Sequence, residues 1–243
     1  MKTSILLIHG AWQGAWVWDE VTELLKHRGI RVRALDLPGS GNDRTPGTEV
    51  TLASYAEAII AEARSMRSEK LIIVGHSMGG AAITEAASLA PELFTRLVYV
   101  CAFLPRSGES VASLAAQAHV SEGGGIQMEI VENRTASRLI PNRIAETFLH
   151  DCTPEMINEA VPRFRPQPLN PLISPVTWSV DFERLPKDYI RCSNDRVLDP
   201  EMQALMAARA GITQIFDLNS GHEPFLSMPK ELVDLMVVAL DVR

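Results

Sequence analysis

Gly75-His76-Ser77-Met78-Gly79 joins an apolar run, Lys70 to Gly75, to a stretch of small residues at helical spacing, Ser77 to Leu89. A serine on such a strand-turn-helix junction is presented at the strand's C-terminal end with the positive end of a helix beneath it, the setting of an activated nucleophile. Its backbone must be strained there, and a glycine two positions to either side lets neighbouring segments approach without Cβ clashes. Ser77 is the candidate nucleophile. A phosphate loop is excluded, because no Gly-Lys-Ser/Thr follows.

A serine hydroxyl is a weak nucleophile until a base accepts its proton. Of the six histidines, His222 in Ser220-Gly221-His222-Glu223-Pro224 lies in a turn-rich loop after the last expected strand, which suits the chain order serine, acid, histidine. His76, flanking the nucleophile, is read as structural, His9 as part of the first loop, and His27, His119 and His150 as packed or solvated residues. The acid belongs at the end of the strand before. Asp195, just beyond the run Asp188 to Cys192, is favoured over Asp199, since Asp199-Pro200-Glu201 reads as a helix start with Asp199 as N-cap. Asp195 would hold the tautomer of His222 and stabilise its imidazolium. Oxyanion donors are expected from the backbone N–H of Met78 and, on the loop His9-Gly10-Ala11-Trp12, of Ala11.

Four apolar runs must position these groups: Ser4 to His9, Ile30 to Leu35, Lys70 to Gly75 and Arg96 to Ala102, each reading as a strand buried on both faces. Between them Val17 to His27 and Leu52 to Met66 carry apolar residues at helical spacing. This alternation predicts a mostly parallel sheet with helices on both faces. Eight of the fifteen prolines, with Gly123-Gly124-Gly125, then fall between Pro105 and Pro175. The regular alternation cannot continue there. Residues 105-178 are expected to form an inserted, mostly helical cap, and 1-104 with 179-243 the core. The sheet pattern resumes with Asp188 to Cys192, a helix Pro200 to Ala210, a strand Thr213 to Asp217 and a helix from Pro229 to Leu240.

Composition narrows the class. Hydrophobic residues at 46% and charged ones at 22% exclude a disordered chain. The longest apolar run, Leu97 to Leu104, has eight residues, far short of the roughly 20 of a bilayer span. The apolar stretch Ile5 to Ile8 is too short for a signal-peptide core, so a cytoplasmic protein is expected. A net charge of −7 without a basic cluster argues against nucleic acid. Cys101, Cys152 and Cys192 fit neither a disulfide framework nor a metal motif and are read as reduced thiols. No metal and no cofactor is expected, and the ligand is a small molecule.

Taken together, His9-Gly10-Ala11-Trp12-Gln13-Gly14-Ala15-Trp16-Val17-Trp18, Leu35-Asp36-Leu37-Pro38-Gly39-Ser40-Gly41, Gly75 to Gly80 and Ser220-Gly221-His222 resemble the α/β-hydrolase superfamily. Within it they are similar to the branch of plant methylesterases, plant hydroxynitrile lyases and related bacterial esterases. The resemblance implies the α/β-hydrolase fold, a triad of Ser77, Asp195 and His222, oxyanion amides at Ala11 and Met78, and hydrolysis of small carboxylic esters. By analogy it also implies a homodimer as a candidate assembly. The lyases of this type carry threonine where Gly10 stands and lysine where this chain has Glu223; the esterases carry glycine at the first position and commonly methionine at the second. A lyase on the same triad, or a ligand receptor with residual turnover, is the alternative. Gly10, Trp12, Phe103, Leu104 and Phe225 are expected to line the substrate site: Trp12 is next to the expected oxyanion donor, and Phe103, Leu104 and Phe225 adjoin strand ends near the elbow and His222. Trp16 and Trp18 are expected in packing, and Asp36 as a loop-organising acceptor.

Overall fold

The computed structural model describes residues 3–117 and 125–239. His119, Gly123, Gly124 and Leu240, on which parts of the sequence reading fall, lie outside the described residues. In chain order the elements are β1 (Thr3–Ile8), α1 (Asp19–His27), β2 (Arg31–Leu35), α2 (Leu52–Met66), β3 (Lys70–His76), α3 (Gly79–Leu89) and β4 (Arg96–Val100). After them come α4 (Val111–Ala115), β5 (Met128–Val131), β6 (Ala136–Leu139), α5 (Pro141–Thr147), α6 (Pro154–Ala160), β7 (Gln167–Pro168) and α7 (Asn170–Ile173). The chain closes with α8 (Val180–Arg184), β8 (Lys187–Cys192), α9 (Pro200–Arg209), β9 (Ile215–Leu218), α10 (Pro224–Ser227) and α11 (Pro229–Ala239).

Six strands form one sheet in the order β2-β1-β3-β4-β8-β9, and every neighbouring pair is parallel. Alternate residues of one strand go to opposite cores: Leu6 and Ile8 join Ile73, Tyr99 and the apolar faces of α2 and α3, whereas Ile5 and Leu7 join Val74, Val100, α1 and α11. Burial on both faces explains why the strands read as unbroken apolar runs. This is the α/β-hydrolase architecture expected from the sequence.

The strand order reverses direction at β1, with β2 on one side and β3 on the other. The loops leaving β1 and β3 therefore open side by side at the C-terminal edge, where parallel sheets bind ligands. Pairing of Ile8 with Gly75 sets that register. Observed boundaries differ from the sequence reading where backbone geometry intervenes. The helix expected from Ser77 begins at Gly79, because Ser77 is in the left-handed region at φ 51°. The stretch Val17 to His27 divides into a 3₁₀ turn, Ala15–Trp18, and α1.

Between β4 and β8, helices outnumber strands among the described residues, and a small antiparallel sheet, β5-β6-β7, is present that the proline-rich sequence does not reveal. This segment is tied to the first loop. The Trp12 Nε1–H donates to the carbonyl and hydroxyl of Ser137 in β6, both at 3.2 Å, and Arg165 N–H donates to the Trp12 carbonyl at 2.9 Å.

Candidate active site

Ser77 sits on a turn that only close backbone contact permits. Built onto Gly79, a Cβ would lie 2.6 Å from the His9 carbonyl oxygen, so glycine is what lets the helix start pack against the loop after β1. The left-handed backbone at Ser77 costs about 1–3 kcal/mol, and its neighbours hold it. Ser77 N–H donates to Val100 O at 3.3 Å, and Gly80 and Phe103 N–H both donate to Ser77 O at 3.0 Å.

β9 ends one strand beyond β8, and the loops after them bring His222 and Asp195 together. The Asp195 carboxylate can only accept, so the 2.7 Å contact between its Oδ2 and His222 Nδ1 puts the proton on Nδ1. That leaves Nε2 with its lone pair 3.0 Å from Ser77 Oγ. All three side chains lie in buried surroundings. Asp195 is immobilised further: Oδ1 accepts Val197 and Leu198 N–H at 2.7 and 2.9 Å, and Oδ2 also accepts Gln203 Nε2–H at 3.1 Å. Asp199, by contrast, accepts Glu201 N–H at the start of α9, the capping role expected of it.

Beside Ser77, the amides of Ala11 and Met78 are buried. Among the described residues neither N–H is engaged by a protein acceptor. Trp12, the residue after Ala11, is itself left-handed at φ 63°, so the loop after β1 carries strain of its own. The other loop residues are structural. His9 donates from Nδ1 to Gly10 O at 2.7 Å and accepts Leu37 N–H at Nε2; Asp36 accepts Ala15 and Asn42 N–H. His76 donates from Nε2 to the His222 carbonyl at 2.8 Å. Burial, reinforced by the neighbouring His222, holds His76 well below the usual histidine range, so it is neutral.

A cavity of about 580 Å³ reaches Asp195, and Trp12, Phe103, Val111, Leu169, Leu172 and Ile173 are among its other lining residues, whereas Ser77 and His222 are not. Of the residues expected at the substrate site, Trp12 and Phe103 line this cavity. Leu104 and Gly10 are buried but do not line this cavity. Phe225 is in a different place from the one expected. It packs on Trp18 and His76, with ring centroids 4.8 Å apart in both cases, in the core on the α1 and α11 side of the sheet. Its closeness to His222 in sequence says nothing about the face of the sheet to which α10 turns it.

Three contributors were not singled out from the sequence. Gln203 is a fully buried polar residue on the apolar face of α9, and a lone glutamine between Met202 and Met206 was the available signal. Asp151 accepts Gly221 N–H at 2.6 Å and so ties the segment before β8 to the histidine loop. Gln13 donates to both Glu223 oxygens at 2.6 and 2.7 Å. Among the described residues the one grouping of three possible metal ligands is His76, Cys101 and His222. Hydrogen bonds to Asp195, Ser77 and the His222 carbonyl already occupy these atoms, apart from His76 Nδ1.

A sheet of this order with a strained serine at the β3–α3 turn defines the class. The Alpha/beta hydrolase family model matches residues 5–235, and the chain belongs to that family. In particular, the chain is similar to Methylesterase 17 of Arabidopsis thaliana, with 29% identity over 251 residues that cover 96% of this chain and 90% of the relative. It is also similar to Methyl jasmonate esterase 1 of Vitis vinifera, 26% identical over 241 residues, covering 93% and 92%. Among solved structures, a pyrethroid hydrolase from Sphingobium faniae JZ-2 superposes with a TM-score of 0.85 at 26% identity, covering 100% of this chain and 98% of that one.

Proposed function

We propose that this protein is a serine ester hydrolase that cleaves small carboxylic esters, methyl esters among them, through an acyl-enzyme on Ser77. The observation that carries the reading is the unbroken path from Ser77 Oγ to His222 Nε2 and from His222 Nδ1 to Asp195, 3.0 and 2.7 Å in its two steps. His222 takes the hydroxyl proton as Ser77 attacks the carbonyl carbon, and Ala11 and Met78 N–H receive the developing oxyanion. The same proton then goes to the departing alcohol. Water, deprotonated by His222, releases the acid and restores Ser77. Relatives named as methylesterases and as a pyrethroid hydrolase support the same reading.

The cavity supports an ester whose larger part is apolar. Its volume of about 580 Å³ falls in the range of small-molecule sites. Its wall includes Asp195, which bonds His222, and two neighbours of the reacting groups: Trp12 follows Ala11, and Phe103 N–H bonds the Ser77 carbonyl. We read residues 105–178 as the cap that supplies one part of this wall, the segment from Ser193 to Glu201 supplying another. Among the described residues no helix is long and apolar enough to cross a membrane. Three unpaired cysteines support a reducing compartment, the cytoplasm in our reading.

A lyase is disfavoured by the space at Gly10. A Cβ there would meet His76 Nδ1 at 2.8 Å and Ser77 Cβ at 2.9 Å, so a threonine has no room. The test is intact mass after a serine-directed phosphonate fluoride, wild type against Ser77→Ala, followed by methyl, acetyl and longer acyl esters. Labelling confined to the wild type, with ester turnover lost in Ser77→Ala, is expected. Unlabelled wild type, where a known esterase is labelled, removes the proposal; tight ligand binding without turnover would favour a receptor.

A further inference from the structure

Glu223 follows His222 directly, yet its carboxyl group is fully buried and is absent from the wall of the cavity. A carboxyl withdrawn from water is unfavourable unless its oxygens are matched. Here both are directed at one side chain, Gln13, whose Nε2 lies 2.6 and 2.7 Å away. Gln13 is buried as well, and its Oε1 accepts Gly10 N–H at 3.2 Å. One amide thus joins the loop after β9 to the loop after β1, at the residue preceding Ala11.

We propose that Glu223 is a positioning residue: acting through Gln13, it fixes the Gly10-Ala11 segment against the histidine loop, so that Ala11 N–H and His222 Nε2 keep one register around Ser77. The inference rests on the hydrolase reading above, because it assigns a cause to the placement of an oxyanion amide. Three features support it. First, the histidine loop is tied to the elbow by a separate bond, from His76 Nε2–H to the His222 carbonyl. Gln13–Glu223 completes a connection among the loops that carry nucleophile, base and oxyanion donor.

Second, the segment needs external support. Trp12 is left-handed at φ 63° between Ala11 and Gln13. Strain of that kind persists only where the surroundings over-determine it. Trp12 is held on one side by Ser137 and by Gln167, which accepts its N–H at 3.3 Å. Gln13 is the hold on the other side. Third, the brace survives either protonation state. Burial, with Asp195 and Asp151 nearby, pushes the Glu223 carboxyl well above the usual glutamate range. A neutral carboxyl still offers Gln13 an acceptor oxygen.

The test is steady-state kinetics on an ester cleaved by the wild type, with Glu223→Met, Gln13→Met, the double variant, Glu223→Gln and Ser77→Ala. A misplaced oxyanion donor lowers kcat and leaves ground-state binding alone, so each methionine variant is expected to lose about 10- to 100-fold in kcat with KM changed less than about threefold. The double variant should lose no more than the worse single one, because both remove one connection. Glu223→Gln, which keeps an acceptor, should restore at least a third of the wild-type kcat. Should Glu223→Met not fold, Gln13→Met bears the test alone, since it keeps the side-chain volume and leaves Glu223 able to hold its proton.

Losses that multiply in the double variant, a Glu223→Gln as impaired as Glu223→Met, or a folded Gln13→Met with wild-type kcat each overturn the proposal. If Ser77→Ala keeps the turnover, the hydrolase reading falls and this inference with it. If Ser77→Ala is inert and the Gln13 variant is not impaired, only the inference falls.

Discussion

Gln203 and His222 share one oxygen: Asp195 Oδ2 accepts His222 Nδ1–H at 2.7 Å and Gln203 Nε2–H at 3.1 Å. The glutamine comes from α9 and the histidine from the loop after β9, so the carboxylate is clamped from two directions before any substrate arrives. Gln203 Oε1 also accepts Cys192 N–H at 3.1 Å, and its Nε2–H reaches the Leu198 carbonyl at 2.7 Å. Replacing it with leucine leaves these buried backbone groups unpaired and frees the carboxylate to turn. Gln203→Leu is expected to destabilise the fold by about 2–5 kcal/mol, at about 1–3 kcal/mol per unmatched group, and to lower kcat about tenfold. Urea unfolding and steady-state kinetics measure the two effects, and an unaltered kcat in a folded variant would show that the clamp is structural only.

Asp195→Asn removes the acceptor that keeps the proton on His222 Nδ1. The asparagine amide offers an N–H in place of an acceptor, so the ring flips its tautomer and Nε2 no longer has a lone pair for the Ser77 proton. A fall in kcat of about 10⁴-fold is expected. Asp199→Asn, which keeps a capping side chain and adds no bulk to the cavity wall that Asp199 also lines, should stay within about twofold. Equal losses in the two variants would reassign the acid.

The contrast between these two carboxylates was legible without coordinates, because a helix N-cap followed by proline is a local pattern and the strand-end position of Asp195 is another. The same holds for the elbow, for His222 and for the strands of the main sheet, whose unbroken apolar runs follow directly from burial on both faces. What escaped the sequence depends on pairing across the chain. Gln13 and Glu223 are 210 residues apart, and neither residue alone signals a partner. Phe225 was misjudged for the same reason, since three residues of separation from His222 do not say that α10 turns it to the α11 side. The strands β5 and β6 lie in a stretch whose prolines announce irregularity without showing where pairing survives.

The buried carboxyl of Glu223 makes stability depend on pH in a defined sense. Burial first, then Asp195 and Asp151, raises its proton affinity in the folded state, against the lowering effect of Gln13; His222, Cys101 and Cys152 are the other titratable groups that its surroundings bring near. Below the ordinary glutamate value of 4.5 both folded and unfolded chains are protonated and no penalty arises. Between that value and the raised one the folded state binds more protons, so stability falls as pH rises, and above the raised value the penalty is complete. Glu223→Gln cannot ionise. Its stability relative to wild type, from urea unfolding at pH values from 5 upward, should therefore increase with pH through this window. A difference that stays constant with pH would mean that the carboxyl ionises as easily inside the protein as in water.

Gly10 offers the sharpest steric prediction. A methyl group there would lie 2.8 Å from His76 Nδ1, 2.9 Å from Ser77 Cβ and 3.1 Å from Gln13 Oε1. The first two neighbours are held in place, His76 by the His222 carbonyl and Ser77 by the elbow backbone. Gln13 is therefore the group able to yield, and its movement would disturb the connection to Glu223. Gly10→Ala is expected to lower kcat about 100-fold through misplacement of the oxyanion loop, with no cyanide release from a cyanohydrin. Wild-type ester turnover in this variant would show that the loop has slack that the contacts deny.

Selectivity should follow the cavity and not the reacting groups. Ala115 lies on α4 and contributes to the cavity wall, so Ala115→Phe adds bulk to the space without touching Ser77, His222 or Asp195. A substrate that fills the cavity must then give up apolar burial worth about 25 cal/mol per Å², whereas a methyl ester of a short acid gives up little. The ratio of kcat/KM between a bulky aromatic ester and a short one should fall at least tenfold, carried by the bulky substrate. Parallel losses on both esters would place the recognition of substrate elsewhere, since filling a space that the substrate occupies cannot penalise large and small esters alike.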